Sequence, residues 1–217
     1  MQPFSCILLA GGMSSRMGRD KALLPISPAR ACADEHVLLQ HMAKIAQLSG
    51  AEQIVVSRDP KLQLPTQTQF LFVADQYPQL GPLAGLHACL PFCDYDRVLV
   101  LPVDMPALSV ELLSSLVSSP NPAYFEGYEM PCLLYRNAAL EAFLAEQLVN
   151  PNARRSIRSL INWTAAEALP LPSSVDERAL LNTNTPEQWQ RFLQGYSGPI
   201  GEQQASLQQG ETRGNRS

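Results

Sequence analysis

Arg97-Val98-Leu99-Val100-Leu101-Pro102-Val103-Asp104-Met105-Pro106 contains the clearest strand of the chain. Arg97 to Leu101 is a short apolar run that stops at a loop stiffened by two prolines; it reads as a central strand. Working downstream, Ser109 is placed to cap a helix running to about Val117. Working upstream, Gly81-Pro82 introduces a helix over Leu83 to Leu90, with proline at a favoured first-turn position. Phe70 to Val73 and Gln53 to Val56 are two further strand candidates. Val37 to Leu48 carries apolar residues in a roughly helical period and stops at Gly50. The chain begins with Phe4 to Ala10, an apolar run ended by Gly11-Gly12, which reads as a buried strand feeding a tight loop.

Alternation of apolar strand, loop and helix predicts an α/β fold, a mostly parallel sheet with helices on both faces. Such sheets bind ligands at the carboxyl ends of their strands. The loops after Ala10 and Leu101 lie at such ends. Beyond Pro120 the pattern weakens: Ala138 to Leu148 and Ala153 to Ile161 look helical, and Ala165 to Leu169 is a strand candidate. Pro186 to Leu193 reads as a last helix, opened by Thr185 as N-cap with Glu187 in its first turn. There is no internal repeat. Residues 1–194 are expected to form a single domain. Residues 195–217, rich in Gly, Gln, Ser, Glu and Arg, are expected to be a disordered tail.

The 217 residues and 46% apolar content suit a globular chain with one sizeable core. The net charge of −4, with no broad basic stripe, argues against a nucleic-acid partner. Five cysteines without a CxxC pair (Cys6, Cys32, Cys89, Cys93 and Cys132) suit a reducing compartment. Pro91 speaks against a paired role for Cys89 and Cys93. His36, His41 and His87 have no metal-ligand spacing and read as structural or surface residues. The first apolar run is too short for a signal peptide or a membrane span, so the expected location is cytoplasmic, with no membrane partner.

Four loops carry candidate chemistry. The first runs Leu9-Ala10-Gly11-Gly12-Met13-Ser14-Ser15-Arg16-Met17-Gly18-Arg19-Asp20-Lys21. It is neither a P-loop nor GxGxxG. Its glycines nevertheless let backbone N–H groups converge on phosphate oxygens, with Arg16, Arg19 and Lys21 supplying charge; the alternative is a turn with solvated cations. In the second loop, Asp104 offers a hard oxygen ligand suited to Mg²⁺, or else satisfies local backbone N–H groups. The third, Asp75 to Gly85, joins a strand to a helix and could close over a base or ribose. The fourth, Asn182-Thr183-Asn184-Thr185-Pro186-Glu187, has more short polar side chains than one N-cap requires. Arg154, Arg155 and Arg158 are candidates for an acceptor phosphate, or form a solvated helix face.

Together these residues resemble the molybdenum cofactor guanylyltransferase family, within the Rossmann-like nucleotide-diphospho-sugar transferases. The resemblance rests on Leu9-Ala10-Gly11-Gly12-x-Ser14-x-Arg16-Met17-Gly18-x-Asp20-Lys21, Gly81-Pro82-Leu83-Ala84-Gly85, Pro102-x-Asp104-x-Pro106 and Asn182-x-Asn184-Thr185-Pro186-Glu187. It implies transfer of GMP from GTP to molybdopterin, with or without its molybdenum, and release of pyrophosphate. It also implies a nucleotide site drawn from Leu9, Ala10, Gly11, Gly12, Lys21, Ser57, Asp75, Gly81 and Asp104. Arg16, Lys21 and Asp104 would be catalytic, with Asp104 on Mg²⁺, and Arg154, Arg155, Asn182 and Asn184 would face the acceptor. GTP and molybdopterin are the implied partners, together with molybdenum insertion and molybdoenzyme maturation proteins. Two positions depart from the family: Pro25 to Glu35 is longer than its usual short turn, and Ser57 stands where it often has Asn. The alternatives are a cytidylyl- or other nucleotidylyltransferase acting on molybdopterin or a sugar phosphate, and a nucleotide-binding regulatory protein without turnover.

Overall fold

The computed structural model describes residues 2–11, 20–26, 37–62 and 69–195. Gly12, Arg16, Arg19, Cys32, His36, most of the Pro25 to Glu35 insertion and the tail from residue 196 lie outside them. The strands are β1 (Ser5–Leu9), β2 (Gln53–Ser57), β3 (Leu71–Val73), β4 (Arg97–Pro102), β5 (Ala123–Phe125), β6 (Tyr128–Tyr135) and β7 (Glu167–Leu169). They form one sheet in the order β3-β2-β1-β4-β6-β5-β7. Every neighbouring pair is parallel except those involving β6, which runs antiparallel to β4 and β5.

The helices are α1 (Leu38–Leu48), α2 (Pro82–Cys89), α3 (Val110–Val117), α4 (Ala138–Val149), α5 (Ile157–Thr164) and α6 (Pro186–Gly195). From β1 the chain steps one way along the sheet to β2, and from β3 it steps back the other way to β4. Right-handed crossovers therefore place α1 and α2 on opposite faces. Covered on both sides, the central strands are almost wholly apolar and buried: Cys6, Ile7, Leu8, Val98, Leu99, Val100 and Leu101 expose none of their surface.

One element is absent from the sequence reading and one expectation requires correction. The strand pair β5 and β6 is joined through Glu126-Gly127 and is not legible as a hairpin. Gly127 takes a φ of 84° at the turn, and Pro131 interrupts the apolar run of β6, the kind of break that normally speaks against a strand. The helix expected over Ala153 to Ile161 is Ile157–Thr164 instead. Ser156 caps it by accepting from the Ser159 backbone N–H, while Arg155, just before it, reaches back to the Gln147 and Asn150 carbonyls at the end of α4. The remaining elements fall within a few residues of their expected bounds.

Candidate active site

The chain reverses its direction along the sheet at β1 and β4, which are adjacent and parallel, with Leu9 opposite Pro102. A crevice opens at the carboxyl edge of a doubly wound sheet at such a reversal. Here it is a cleft of about 1050 Å³, whose walls include Gly11, Lys21, Asp75, Asp104, Glu129 and Asn182. Backbone bonds tie the strand ends together below it: Ala10 N–H donates to Ser57 O at 3.1 Å and Val103 N–H to Leu9 O at 3.1 Å.

Asp104 stands on a loop clamped from two directions. Its own carbonyl accepts from the Thr183 N–H at 2.7 Å and from Thr183 Oγ1 at 3.1 Å. Two residues on, Pro106 O accepts from His41 Nε2 of α1 at 2.8 Å. A carbonyl oxygen only accepts, so Nε2 carries the proton. Burial lowers the His41 pKa below its usual 6.5, which keeps the ring neutral near pH 7. His41, expected to be structural, thus braces the loop that carries the carboxylate.

Lys21 enters from the first loop. Asp20 accepts from the Ala22 N–H at 3.0 Å and so caps the one-turn 3-10 helix Lys21–Leu23. From that turn Lys21 Nζ lies 3.4 Å from Asp104 Oδ2 and donates to Asn184 Oδ1 at 2.5 Å. Asn184 is itself fixed by the start of α6, where Gln188 Oε1 accepts from the Asn184 and Thr185 N–H groups and Thr185 Oγ1 accepts from the Gln188 N–H. This reciprocal capping accounts for Thr185 and leaves the Asn184 side chain to Lys21, while Asn182 lines the cleft. Three of the four candidate loops therefore converge on one cation and one carboxylate.

The third loop makes the flank toward β2 and β3. Ser57 Oγ donates to Asp75 Oδ1 at 2.8 Å, holding that carboxylate at the cleft wall. Gly85 of α2 packs directly against this pair: a Cβ there would fall 2.5 Å from Ser57 Oγ. Gly81, with φ 81° and ψ −166°, adopts a backbone that only glycine takes readily, and it turns the loop into α2.

The opposite wall is the β5–β6 turn with the start of α5. Arg158 pairs with Glu129 at 2.5 Å and both line the cleft. Arg155 also lines it, but its guanidinium is occupied by the end of α4. Arg154 is exposed and does not contribute to the cleft walls. Sequence reasoning missed Tyr128, Glu129 and Arg58, and it flagged Thr183 only as a member of the fourth loop. Of the three, only Arg58 left a trace, as a cation directly at the end of a strand.

Among the described residues no three His, Cys, Asp or Glu side chains gather as a metal-binding cluster. The cleft brings the Asp104 carboxylate and Asn182 to one wall, while the Asp75 and Glu129 carboxylates are engaged by Ser57 and Arg158. That donor set fits a hard cation sharing its coordination with substrate phosphates, as Mg²⁺ does, and not an all-protein zinc or calcium cage. No helix among the described residues is long and apolar enough to cross a membrane.

Comparison with known proteins agrees with this geometry. A family model described as a MobA-like NTP transferase domain matches residues 6–169. The chain is 35% identical over 196 residues to the molybdenum cofactor guanylyltransferase of Xanthomonas euvesicatoria pv. vesicatoria (strain 85-10), covering 88% of this chain and 95% of that one. It is 30% identical over 197 residues to the molybdenum cofactor guanylyltransferase of Syntrophotalea carbinolica, covering 87% and 90%. Among solved structures, molybdopterin-guanine dinucleotide biosynthesis protein A from Archaeoglobus fulgidus superposes with a TM-score of 0.66 at 18% identity, covering 88% of this chain and 97% of that one. The 2-C-methyl-D-erythritol 4-phosphate cytidylyltransferase from Thermus thermophilus gives 0.62 at 15% identity, covering 89% and 98%. At those identities the two structures speak for the fold alone.

Proposed function

The chain belongs to the MobA-like NTP transferase family, and on that premise we propose that it transfers GMP from GTP to molybdopterin, with or without its metal, and releases pyrophosphate. The observation that carries the reading is the meeting of Lys21, Asp104 and Asn184 beside Gly11, at the paired ends of β1 and β4.

The reaction brings a phosphate nucleophile to the α-phosphorus of a triphosphate. Such a nucleophile is already ionised near pH 7, so no general base is required. The residues must instead neutralise and align anions. Lys21 and the backbone N–H groups around Gly11 would take the charge of the departing pyrophosphate, a role also proposed for Arg16 and Gly12. Leu9, Ala10, Ser57, Asp75 and Gly81 would hold the nucleoside on the β2 side of the cleft. Asp104, with Asn182 or Asn184, would hold Mg²⁺, which when bound supplies Lewis-acid stabilisation of phosphate oxygens. The acceptor would enter along the opposite wall, past Arg155 and Arg158. The buried free thiols of Cys6, Cys89, Cys93 and Cys132 suit a reducing compartment, taken here as the cytoplasm.

Pyrophosphate release, measured with each of the four nucleoside triphosphates in the presence and absence of molybdopterin, tests the reading. Release that requires both GTP and molybdopterin is expected. CTP-dependent release would turn the reading toward a cytidylyltransferase, and GTP binding without release toward a sensor.

Gly85→Ala gives a sharper check on the nucleoside side. Alanine favours a helix over glycine by about 1 kcal/mol, but its methyl would crowd Ser57 Cβ and Leu9 Cδ2, each at 3.1 Å, so the melting temperature should fall. The new methyl must also push Ser57 Oγ away from Asp75, since it would start only 2.5 Å from that oxygen. Losing one partly buried hydrogen bond, on the order of 1–2 kcal/mol, should weaken GTP binding about tenfold by calorimetry at a temperature where both proteins are folded.

A further inference from the structure

Arg58 follows β2 directly and is almost completely buried, at 2% exposure. Its guanidinium grips Asp20 with two nitrogens, Nη1 to Oδ1 at 3.2 Å and Nη2 to Oδ2 at 2.5 Å. The Asp20 side chain is 38% exposed. Oδ1 of the same carboxylate caps the turn that begins at Lys21.

We propose that Arg58 is a positioning residue for nucleotidyl transfer: it locks Asp20, and through Asp20 the turn that aims Lys21 at Asp104 and Asn184. The inference rests on the reading of Lys21 as a contact for the triphosphate.

Stability alone explains the pair poorly. Removing a guanidinium from water is costly, and an apolar side chain of similar volume often does as well or better in such a place. A planar fork on a carboxylate, by contrast, fixes orientation, which a point charge does not. The turn it holds is only three residues long, too short to keep its own shape. With Asp20 fixed at both oxygens and at the cap, the backbone from which Lys21 extends is held in place. The charge matters as well. Without Arg58, the Asp20 carboxylate would stand unneutralised next to the residue that must meet a polyanion.

The end of β2 thereby serves both halves of the cleft. Ser57 turns its hydroxyl to Asp75, and the next residue, with its side chain on the other face of the strand, secures the turn of Lys21. The Arg58 N–H continues the ladder to Val73 O at 2.9 Å, so the anchor is part of the sheet.

The test is a double-mutant cycle on the full chain: wild type, Arg58→Lys, Lys21→Met and the double variant. Turnover is measured with GTP and molybdopterin, and melting temperatures are recorded alongside. Arg58→Lys keeps the charge and loses the fork, so turnover should fall at least about tenfold, within the range expected when a charge contact is misplaced by about 1 Å. In the Lys21→Met background the same change should cost less than about twofold, because the residue it positions is already gone. A general structural role would reduce turnover equally in both backgrounds. Equal losses, or wild-type turnover in Arg58→Lys, overturn the proposal. Should Arg58→Lys fail to fold, Asp20→Asn, which keeps an oxygen to cap the turn, replaces it in the cycle with the same criteria. Full activity in Lys21→Met removes the role of Lys21 itself and the latch with it. A large loss there with additive behaviour at Arg58 removes the latch only.

Discussion

Asp104→Ala is expected to lower turnover at least ~100-fold, the scale of losing one transition-state charge contact. The expectation comes from the surroundings of the residue. Its loop is bonded to Thr183 on one side and His41 on the other, and its carboxylate is the one that meets Lys21 across the cleft. Those clamps act on backbone atoms and survive the substitution, so the fold should hold while the oxygen ligand disappears. Steady-state rates with GTP and molybdopterin, read beside circular dichroism spectra, separate the two. Turnover close to wild type would exclude Asp104 from the chemistry.

Lys21→Ala should cost a similar factor, at least ~100-fold, for a different reason. The ammonium is partly buried, at 15% side-chain exposure, between Asp104 and Asn184. On the proposed reading a cation held there would meet a negative charge that grows on the leaving group, so its loss should fall on turnover more than on the GTP dissociation constant. Lys21→Arg should rescue only part of the rate, since a broad planar fork does not occupy the place of a compact ammonium. Unchanged turnover with a raised KM would instead make Lys21 a binding residue.

The parts of this design that were legible in the sequence are those written locally. β1, β2 and β4 are short apolar runs cut off by glycine, proline or a polar turn, and Ser109 and Thr185 mark their helix starts as caps should. Gly11, Lys21, Asp104 and Asn184 were visible because they occupy loops at strand ends or before a helix. What escaped depends on contacts between distant positions. Arg58 meets Asp20 across 38 residues, His41 meets Pro106 across 65, and Thr183 meets Asp104 across 79. No periodicity within a window of sequence encodes such meetings. The β5–β6 hairpin escaped for another reason: Pro131 breaks the pattern of β6, and the strand is held by its neighbours β4 and β5 and not by its own propensity.

At the centre of the proposal is one triphosphate lying between the turn of Gly11 and the carboxylate of Asp104, with a divalent ion shared by protein and phosphates. Paramagnetic resonance of Mn²⁺, titrated into the chain with a GTP analogue that cannot be cleaved between its α and β phosphates, reads that arrangement directly. One tightly bound Mn²⁺ per chain is expected when the analogue is present, with affinity at least about tenfold weaker in Asp104→Ala. The same stoichiometry and affinity in Asp104→Ala would contradict it.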